Sequence, residues 1–447
     1  MRRFSPRLFT GVIVALFAFV FLALPPFCEA RVYIDITAPS LRKIPTAVPL
    51  FKDQGSGSEN RPDELAHTLA DLLGETISFT GFFKILNRES FLEDPRQASL
   101  IENKINFKNW TDVGAELLVK GGFKYEKDRL TVELRLFDTF SGRLIIGKRY
   151  VGYLDDQRRI IRRFCNDMIR RLTGHAGIFN SQIAFISTTT GHKEIYLADF
   201  DGHNPKQFTD TGAITLFPAW SSDGHWLAYT DYRHGKPDLY IRQIREPQGT
   251  VIALKGSNLT PAWVPGQFAL AASLSHEGNP AVYLLTGNGK IIKKLTDHWG
   301  IDVSPTWSPD GRHIAFVSNR SGSPQIYIKD VEAGRVRRLT YEGNYNTAPQ
   351  WSPRGDYIAY TRLQREDGIN VYVIRPEGGS SIQLTRNTGN NESPTWSPDG
   401  SLIAFSSTRE GPARIYVMNA NGANQRRLLA LQGDQTNPSW SPRLPYY

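Results

Sequence analysis

A tryptophan-containing turn recurs six times in the second half of the chain and constrains its fold more than any other feature. Each copy reads Pro, any residue, Trp, and most continue as Ser-Pro-Asp-Gly or a close variant. Six of the nine tryptophans keep spacings of 43, 44, 44, 45 and 44 residues: Trp220, Trp263, Trp307, Trp351, Trp396 and Trp440. Such a period predicts a repeat architecture in which every copy is one supersecondary unit.

Short strand patterns repeat in phase with these turns. In one copy, Ile314-Ala315-Phe316 follows the turn, the run from Gln325 to Asp330 comes next, and a third run ends in Leu339-Thr340. Alternating runs rich in Ile, Val, Tyr and Phe, separated by Pro-Asp-Gly and Asn-Gly turns, are typical of half-buried β-strands. Four strands in about 44 residues make one β-propeller blade, so six copies predict an all-β six-bladed β-propeller.

The phase of the repeat at its two ends predicts how the ring closes. The region opens near Ser181 with the strand that elsewhere follows the tryptophan turn, and its last motif contains Trp440. We therefore expect the C-terminal strand to complete the first blade, which removes an exposed sheet edge. An open β-solenoid is the alternative, but it does not explain a missing first strand matched by an extra last one.

Residues 31–176 lack the repeat and predict a small α+β N-terminal domain, followed by the propeller over residues 177–447. A leucine stripe predicts a helix over 62–78, and three long alternating runs between residues 115 and 154 predict strands joined by hairpin turns. The last predicted helix, 156–172, has an apolar stripe and an arginine-rich opposite face. That face is either solvated or binds an acidic surface.

The first 30 residues have the three-part order of a secretory signal peptide. Arg2, Arg3 and Arg7 precede an apolar run from Leu8 to Leu24, and small residues lead to a predicted cleavage after Ala30. An uncleaved membrane anchor and a lipid on Cys28 remain alternatives. Cleavage would leave Cys165 as the single thiol of an exported chain without internal disulfides.

Polar side chains occur five residues ahead of each repeated tryptophan and are candidates for a binding site. They are Thr215, Asn258, Asp302, Asn346, Asn391 and Gln435. In a ring, equivalent positions surround one end of the central channel, so we expect these residues on loops at its mouth, where they either bind a partner or are hydrated. The tryptophans themselves either pack between blades or stack on a ligand, and Asp223, Asp310 and Asp399 either cap their turns or bind calcium.

Three common motifs for nucleotide binding, metal binding and catalysis do not occur in the sequence. The chain has no P-loop, no His-Glu-x-x-His and no Gly-x-Ser-x-Gly elbow, and its nine histidines are scattered. We therefore expect no catalytic residue, no metal site and no cofactor. The net charge is +9, but no run of five basic residues occurs, so a nucleic-acid partner is not expected. The functional interpretation that remains is a propeller that binds a partner, and the alternative is a secreted hydrolase or a sugar- or peptide-binding module.

Several segments resemble the TolB family, the periplasmic propeller proteins of the Tol-Pal system. They are AELLVKGGF at 115–123, LRLFDTFSG at 134–142, LTGHAGIFNSQIAFIS at 172–187, EIYLADFDGHNPKQFT at 194–209 and PSWSPR at 438–443. The resemblance implies a monomeric, non-enzymatic periplasmic adaptor that serves outer-membrane integrity and cell division. The sequence departs from the family pattern at two places. The turn Val264-Pro265-Gly266 lacks the Asp, and the N-terminal segment contains Arg31 and Pro39.

The same resemblance implies two partners. The lipoprotein Pal would bind a propeller face that includes the six polar channel residues. The inner-membrane protein TolA would bind the first residues of the mature chain: Arg31, Val32, Tyr33, Ile34, Asp35 and Ile36.

Overall fold

The computed structural model describes residues 42–55, 62–93, 99–247 and 249–445. These residues form an α+β domain followed by a six-bladed β-propeller, as the sequence predicts. The predicted signal peptide (residues 1–30) and the N-terminal segment from Arg31 to Ile36 lie outside the described residues. The boundary between residues 176 and 177 stays a prediction, although the last helix before it and the first propeller strand after it flank that position.

In its described residues, the N-terminal domain is a six-stranded mixed sheet with three α-helices. The helices are α1 (Pro62–Ser78), α2 (Phe107–Asp112) and α3 (Gln157–Thr173), with short 3-10 helices at Arg88–Ser90, Glu102–Lys104 and Leu154–Asp156. The strands are β1 (Ile44–Ala47), β2 (Lys52–Asp53), β3 (Phe83–Ile85), β4 (Leu117–Glu126), β5 (Arg129–Asp138) and β6 (Arg143–Gly152). Their order is β3-β1-β4-β5-β6, with β2 also paired to β4.

Local chemistry explains most of these elements. The β4–β5 turn places Lys127 and Asp128 at φ 51° and 60°, the two positive angles that a type I′ hairpin requires. The apolar stripe of α3 is buried against α1 and β6, and α3 ends at Gly174 in the left-handed conformation. Cys165 lies in this stripe, and burial raises the pKa of its thiol well above the usual value. Strand β1 ends before Pro49, which has no N–H to donate to a ladder.

Six four-stranded antiparallel sheets form the blades. Blade 1 contains β30 (Gln435–Trp440), β7 (Gln182–Ser187), β8 (Glu194–Asp199) and β9 (Lys206–Gln207). Blade 2 contains β10 (Thr215–Trp220), β11 (Trp226–Asp231), β12 (Asp238–Gln243) and β13 (Gly249–Ile252). Blade 3 contains β14 (Asn258–Trp263), β15 (Ala269–Leu274), β16 (Ala281–Thr286) and β17 (Ile291–Lys294).

Blades 4 to 6 repeat this order. Blade 4 contains β18 (Asp302–Trp307), β19 (His313–Ser318), β20 (Gln325–Asp330) and β21 (Val336–Arg338). Blade 5 contains β22 (Tyr345–Trp351), β23 (Ile358–Gln364), β24 (Gly368–Ile374) and β25 (Ile382–Gln383). Blade 6 contains β26 (Asn391–Trp396), β27 (Leu402–Ser407), β28 (Arg414–Asn419) and β29 (Arg426–Arg427).

The ring closes through the C-terminal strand. Strand β30 pairs antiparallel with β7, placing Gln435 opposite Ser187 and Trp440 opposite Ile183. The six inner strands contact one another in the circular order β30, β10, β14, β18, β22, β26 and back to β30. The predicted closure is therefore confirmed, and an open solenoid is excluded.

Apolar side chains fill the spaces between adjacent blades. Ile314, Phe316 and Tyr327 of blade 4, for example, pack with Val264 and Ala271 of blade 3. Burying a large apolar side chain contributes about 1.5–3 kcal/mol, so each such layer stabilises the contact between two blades.

The channel has two ends that differ in their connections. We call the end with the turns that follow the six repeated tryptophans the tryptophan end. We call the opposite end, where the connections enter the inner strands, the loop end. Since the strands of a blade are antiparallel, the turns between second and third strands also lie at the loop end, and the turns between third and fourth strands lie at the tryptophan end.

The N-terminal domain contacts turns at the tryptophan end of blade 1. Arg162 of α3 pairs with Asp199 at 2.9 Å and with Asp201 at 3.1 Å, and Arg158 pairs with Asp201 at 2.6 Å. Two arginines of the α3 face therefore bind an acidic surface of the propeller of the same chain, while Arg163, Arg170 and Arg171 of that face are exposed.

Blade 6 makes a second contact with the N-terminal domain. The Arg426 guanidinium lies 4.4 Å from the ring of Phe79 and donates to the Phe79 carbonyl oxygen at 2.5 Å. Burial lowers the pKa of Arg426 to about 10. The domain thus contacts blades 1 and 6 and spans the seam where the ring closes.

Candidate functional site: the two ends of the propeller channel

Every inner strand has a bulge one residue before its Pro-x-Trp motif. The residues at the bulge have φ between 48° and 55°: Phe217, Thr260, Ser304, Ala348, Ser393 and Asn437. The strand pairing shifts register at the same place in all six blades. Because the following proline has no N–H to donate, the bulge accommodates it without leaving a ladder donor unpaired. The bulge divides each inner strand into a half at the loop end and a half at the tryptophan end.

The tryptophans at the tryptophan end link neighbouring blades. The indole N–H of Trp263 donates to the Ala219 carbonyl of blade 2 at 3.1 Å, and Trp307 donates to Ala262 of blade 3 at 3.2 Å. Trp220 and Trp396 make the equivalent bonds, Trp440 donates to the Ser181 hydroxyl, and Trp351 donates within its own turn. The packing interpretation of the tryptophans is therefore confirmed.

The aspartates at this end cap their turns, as the sequence predicts. Asp310 accepts from the Ser308 hydroxyl at 2.5 Å and from the Arg312 N–H at 3.0 Å. These two bonds hold the pKa of Asp310 below its usual range. Asp223 and Asp399 make the matching contacts in their own turns.

A cavity of about 450 Å³ lies within the channel and is lined by the six Pro-x-Trp segments. Prolines, tryptophans and small hydroxyl residues make up most of the lining. Among the described lining residues Arg443 alone is charged, and it donates to the carbonyls of Ala176 and Gly177. These lining residues offer no carboxylate or imidazole that could act as a general acid or base.

Five of the six predicted channel residues are the first residue of their inner strands, and Asn346 is the second residue of β22; all six are buried. Each of their side chains has at most 1% of its surface exposed. Thr215 donates to the Lys193 carbonyl at 2.8 Å, and Asp302 accepts from Arg320 at 2.9 Å. Asn346 donates to Gln325 at 2.8 Å. Asn258, Asn391 and Gln435 bond to carbonyls of the preceding loops.

The expectation that these six residues stand on loops at the channel mouth is therefore wrong. Their side chains complete a hydrogen-bond network that recurs between blades. In blade 4, Gln325 accepts from Thr340, the threonine of the Leu-Thr motif, and from Asn346 of blade 5. Asn370 accepts from Thr385 and Asn391 in the same way. A part in binding Pal stays a prediction, and the burial means that it would be indirect.

Exposed apolar side chains lie at the loop end instead, and sequence reasoning missed them. We call Trp299, Ile301, Tyr341, Tyr345 and Leu363 the apolar rim. Trp299 is 74% exposed and Tyr341 73%. Tyr345 pairs across strands with Leu363, and the Tyr341 ring lies 4.8 Å from the Arg338 guanidinium.

The rim belongs to blades 4 and 5, which are neighbours in the ring. Apolar residues grouped on one surface are typical of docking sites for proteins. The sequence signal that could have revealed it is an apolar residue directly before a buried polar one, as at Ile301-Asp302 and Tyr345-Asn346.

Three further features bear on function: the predicted TolA-binding segment, membrane-spanning helices and metal sites. The predicted TolA-binding residues, Arg31 to Ile36, lie outside the described residues. No described helix is long and apolar enough to cross a membrane. Within the described ranges, no group of three or more His, Cys, Asp or Glu side chains could hold a metal ion.

Two family models match the chain. The TolB beta propeller domain matches residues 169–444, and the TolB amino-terminal domain matches residues 32–145. The chain is similar to the Tol-Pal system protein TolB of Desulfosudis oleivorans, with 54% identity over 268 residues that cover 60% of this chain and 61% of that protein. It is also similar to the protein TolB homolog of Chlorobaculum tepidum, with 42% identity over 296 residues and 65% of each chain covered.

These matches span less than two thirds of the length of either relative. Among solved structures, TolB from Acinetobacter baumannii covers 90% of this chain and 98% of its own, with a TM-score of 0.77 and 24% identity. At that identity, the likeness demonstrates the shared two-domain fold.

Proposed function

This chain belongs to the TolB family, and from that premise we propose that it is a non-enzymatic, monomeric periplasmic adaptor of the Tol-Pal system. In this proposal the propeller binds a Pal-like peptidoglycan-associated lipoprotein. Residues 31–36 bind a TolA-like inner-membrane protein. The adaptor serves outer-membrane integrity and constriction during cell division.

The observation that carries the proposal is the apolar rim at the loop end. Large aromatic and aliphatic side chains that stay exposed in a folded propeller lose contact with water when a partner covers them. Trp and Tyr are also the residue types most enriched among those that dominate binding energy in protein interfaces. The N-terminal domain contacts turns at the tryptophan end, so a partner at the loop end would approach from the other side of the ring.

The alternative is a propeller hydrolase or a sugar- or peptide-binding module. An enzyme would need an acid, a base or a nucleophile facing a cavity, whereas the described lining of the 450 Å³ cavity consists of groups that hold the ring together. The rim also lies outside that cavity. Both points favour an adaptor over a hydrolase.

The experiment is a binding titration between the mature protein and the purified soluble domain of the Pal-like lipoprotein from the same organism. The test variant is Trp299→Ser combined with Tyr341→Ser, and we expect its affinity to fall at least about tenfold because two anchor residues are removed. The matched control is Phe140→Ser, since Phe140 is a 73% exposed aromatic on the N-terminal domain. Equal affinity for all three proteins would contradict the loop end as the docking face.

The second partner is tested separately. A mature chain that begins at Lys43 lacks the proposed TolA segment and retains the described fold. We expect it to lose binding to the soluble domain of the TolA-like protein. Retained binding would contradict the role of residues 31–36. Recovery of hydrolysed peptide or glycan products, with no lipoprotein binding, would instead support the alternative function.

A further inference from the structure

The residue that follows the buried polar one in each inner strand lies just inside the loop end of the channel. These residues are Leu216, Leu259, Val303, Thr347, Glu392 and Thr436. Five are partly exposed, and Glu392 is exposed. Because they belong to the innermost strands, their accessible surface opens on the channel. Among these six residues, Glu392 is the charged one.

Glu392 has no counter-ion among the described residues. No described side chain donates a hydrogen bond to its carboxylate, and no described cation pairs with it. The surrounding channel wall removes much of the water that would hydrate the carboxylate, and this desolvation raises the pKa of Glu392.

Three arginines at the same end of the ring are already engaged. Arg320 pairs with Asp302. Arg362, on a strand next to β26, pairs with Glu342 and donates to Asn346. Arg409 donates to Asn391 and Gln425. None of these side chains neutralises Glu392, although Arg409 belongs to the same blade.

The wall opposite Glu392 is apolar. In the circular order of inner strands, β26 lies three steps from β14, so Leu259 faces Glu392 across the channel. Leu216 and Val303 flank Leu259 on β10 and β18. A carboxylate on one side and three aliphatic side chains on the other match a Lys or Arg side chain, whose charged group needs an anion and whose stem is apolar.

A metal ion fits this place less well. Calcium takes six to eight oxygen ligands, and one carboxylate supplies two. The apolar wall supplies none. The apolar rim on blades 4 and 5 adjoins blade 6, so a protein that covers the rim brings its own side chains to the mouth of the channel beside Glu392.

We propose that Glu392 receives the ammonium or guanidinium group of a Lys or Arg side chain that the docked protein partner inserts into the loop end of the channel. The inference rests on the proposed function and names the chemistry by which the partner is recognised. The pair would form in a partly desolvated place, where a charge pair contributes more than it does on an open surface.

The experiment measures binding of the lipoprotein's soluble domain to four proteins: wild type, Glu392→Gln, Glu392→Lys and the control Glu332→Gln. Glu332 is an exposed carboxylate in the turn after β20, at the tryptophan end. We expect Glu392→Gln to weaken binding roughly 10- to 100-fold and Glu392→Lys to weaken it further. The control should bind within about twofold of wild type, as an exposed charge far from the interface contributes little.

A second measurement separates recognition from folding. Glu392→Gln should unfold at the same temperature as wild type or a higher one, because it removes an uncompensated carboxylate. The lipoprotein's interface lysines and arginines are replaced by Met, one at a time. One of these lipoprotein variants should bind the wild-type protein more weakly than the unchanged lipoprotein does, yet bind Glu392→Gln with unchanged affinity. If wild type binds and Glu392→Gln binds equally well, this inference is overturned and the proposed function stands. If wild type does not bind at all, both fall.

Discussion

The two ends of the propeller channel are built from the same six repeats and yet use their side chains differently. At the tryptophan end, indoles bond to neighbouring blades, as Trp307 does to Ala262, and hydroxyls and aspartates bond within their turns, as Ser308 does to Asp310. At the loop end, the polar residues near the start of each inner strand form a buried hydrogen-bond network between blades. The residues just outside it, such as Trp299 and Tyr341, are exposed.

The difference teaches that position along an inner strand decides what a polar or aromatic residue does. A polar residue at the start of the strand is buried and structural, as Asp302 is. Aromatic residues three to five positions ahead of the polar one, such as Trp299 and Tyr341, are exposed and available to a partner. Tryptophan therefore has opposite roles at two places: Trp307 is buried at the end of its inner strand, and Trp299 is exposed before that strand begins.

The largest expected effect comes from removing the strand that unites both ends. Deleting residues 435–447 removes β30 and with it the pairing to β7 and the Trp440 contact to Ser181. Because the net stability of a domain is only about 5–15 kcal/mol, we expect cooperative unfolding of the propeller to be lost. Urea unfolding followed by circular dichroism checks this, with a chain ending at Pro445 as the control. A cooperative, wild-type transition in the deletion variant would mean that the ring does not depend on its closing strand.

A pair of tryptophans compares the two ends directly. Trp307→Ala removes a buried indole between blades 3 and 4 and should lower the free energy of unfolding by about 3–5 kcal/mol. Trp299→Ala removes an exposed indole and should change it by less than about 0.5 kcal/mol. Chemical unfolding of both variants checks the contrast, which equal losses would contradict.

Asp302 tests the buried network of the loop end. Asp302→Ala leaves Arg320 without its carboxylate partner and should cost about 2–3 kcal/mol of stability. The control is Asp297→Ala, because Asp297 is on the same connection but its side chain is 89% exposed. Any loss of partner binding by Asp302→Ala should follow its loss of stability. Weaker binding with unchanged stability would restore the direct role that the sequence first suggested.

The smallest effect belongs to the turn aspartate at the tryptophan end. The lowered pKa of Asp310 contributes stability above the usual pKa of about 3.9, and this contribution is lost as pH falls through the lowered value. Since Asp310 is near the surface, Asp310→Asn should cost less than about 1 kcal/mol at pH 7. The difference from wild type should shrink in pH-dependent unfolding as the pH falls below the usual carboxyl pKa. A difference that grows on acidification would contradict this sign.

Sequence reasoning predicted the architecture well because the repeat is dense. The period of the tryptophans gave the blade number, and the phase of the first and last strands gave the ring closure. The helix at Pro62–Ser78 and the hairpin at Lys127–Asp128 also follow from local patterns. The candidate site was predicted less well, because the burial of the residues ahead of each tryptophan depends on contacts from the preceding blade, as between Gln325 and Asn346.

The sequence by itself determined that this chain is a two-domain protein with a closed six-bladed ring, because periodicity and turn chemistry are local and repeat in register. Only the tertiary structure decided which residues at the loop end are free to bind. Exposure is set by neighbouring blades that lie about 44 residues away along the chain. The same packing left Trp299 outside the ring, buried Asp302, and placed the carboxylate of Glu392 opposite an apolar wall.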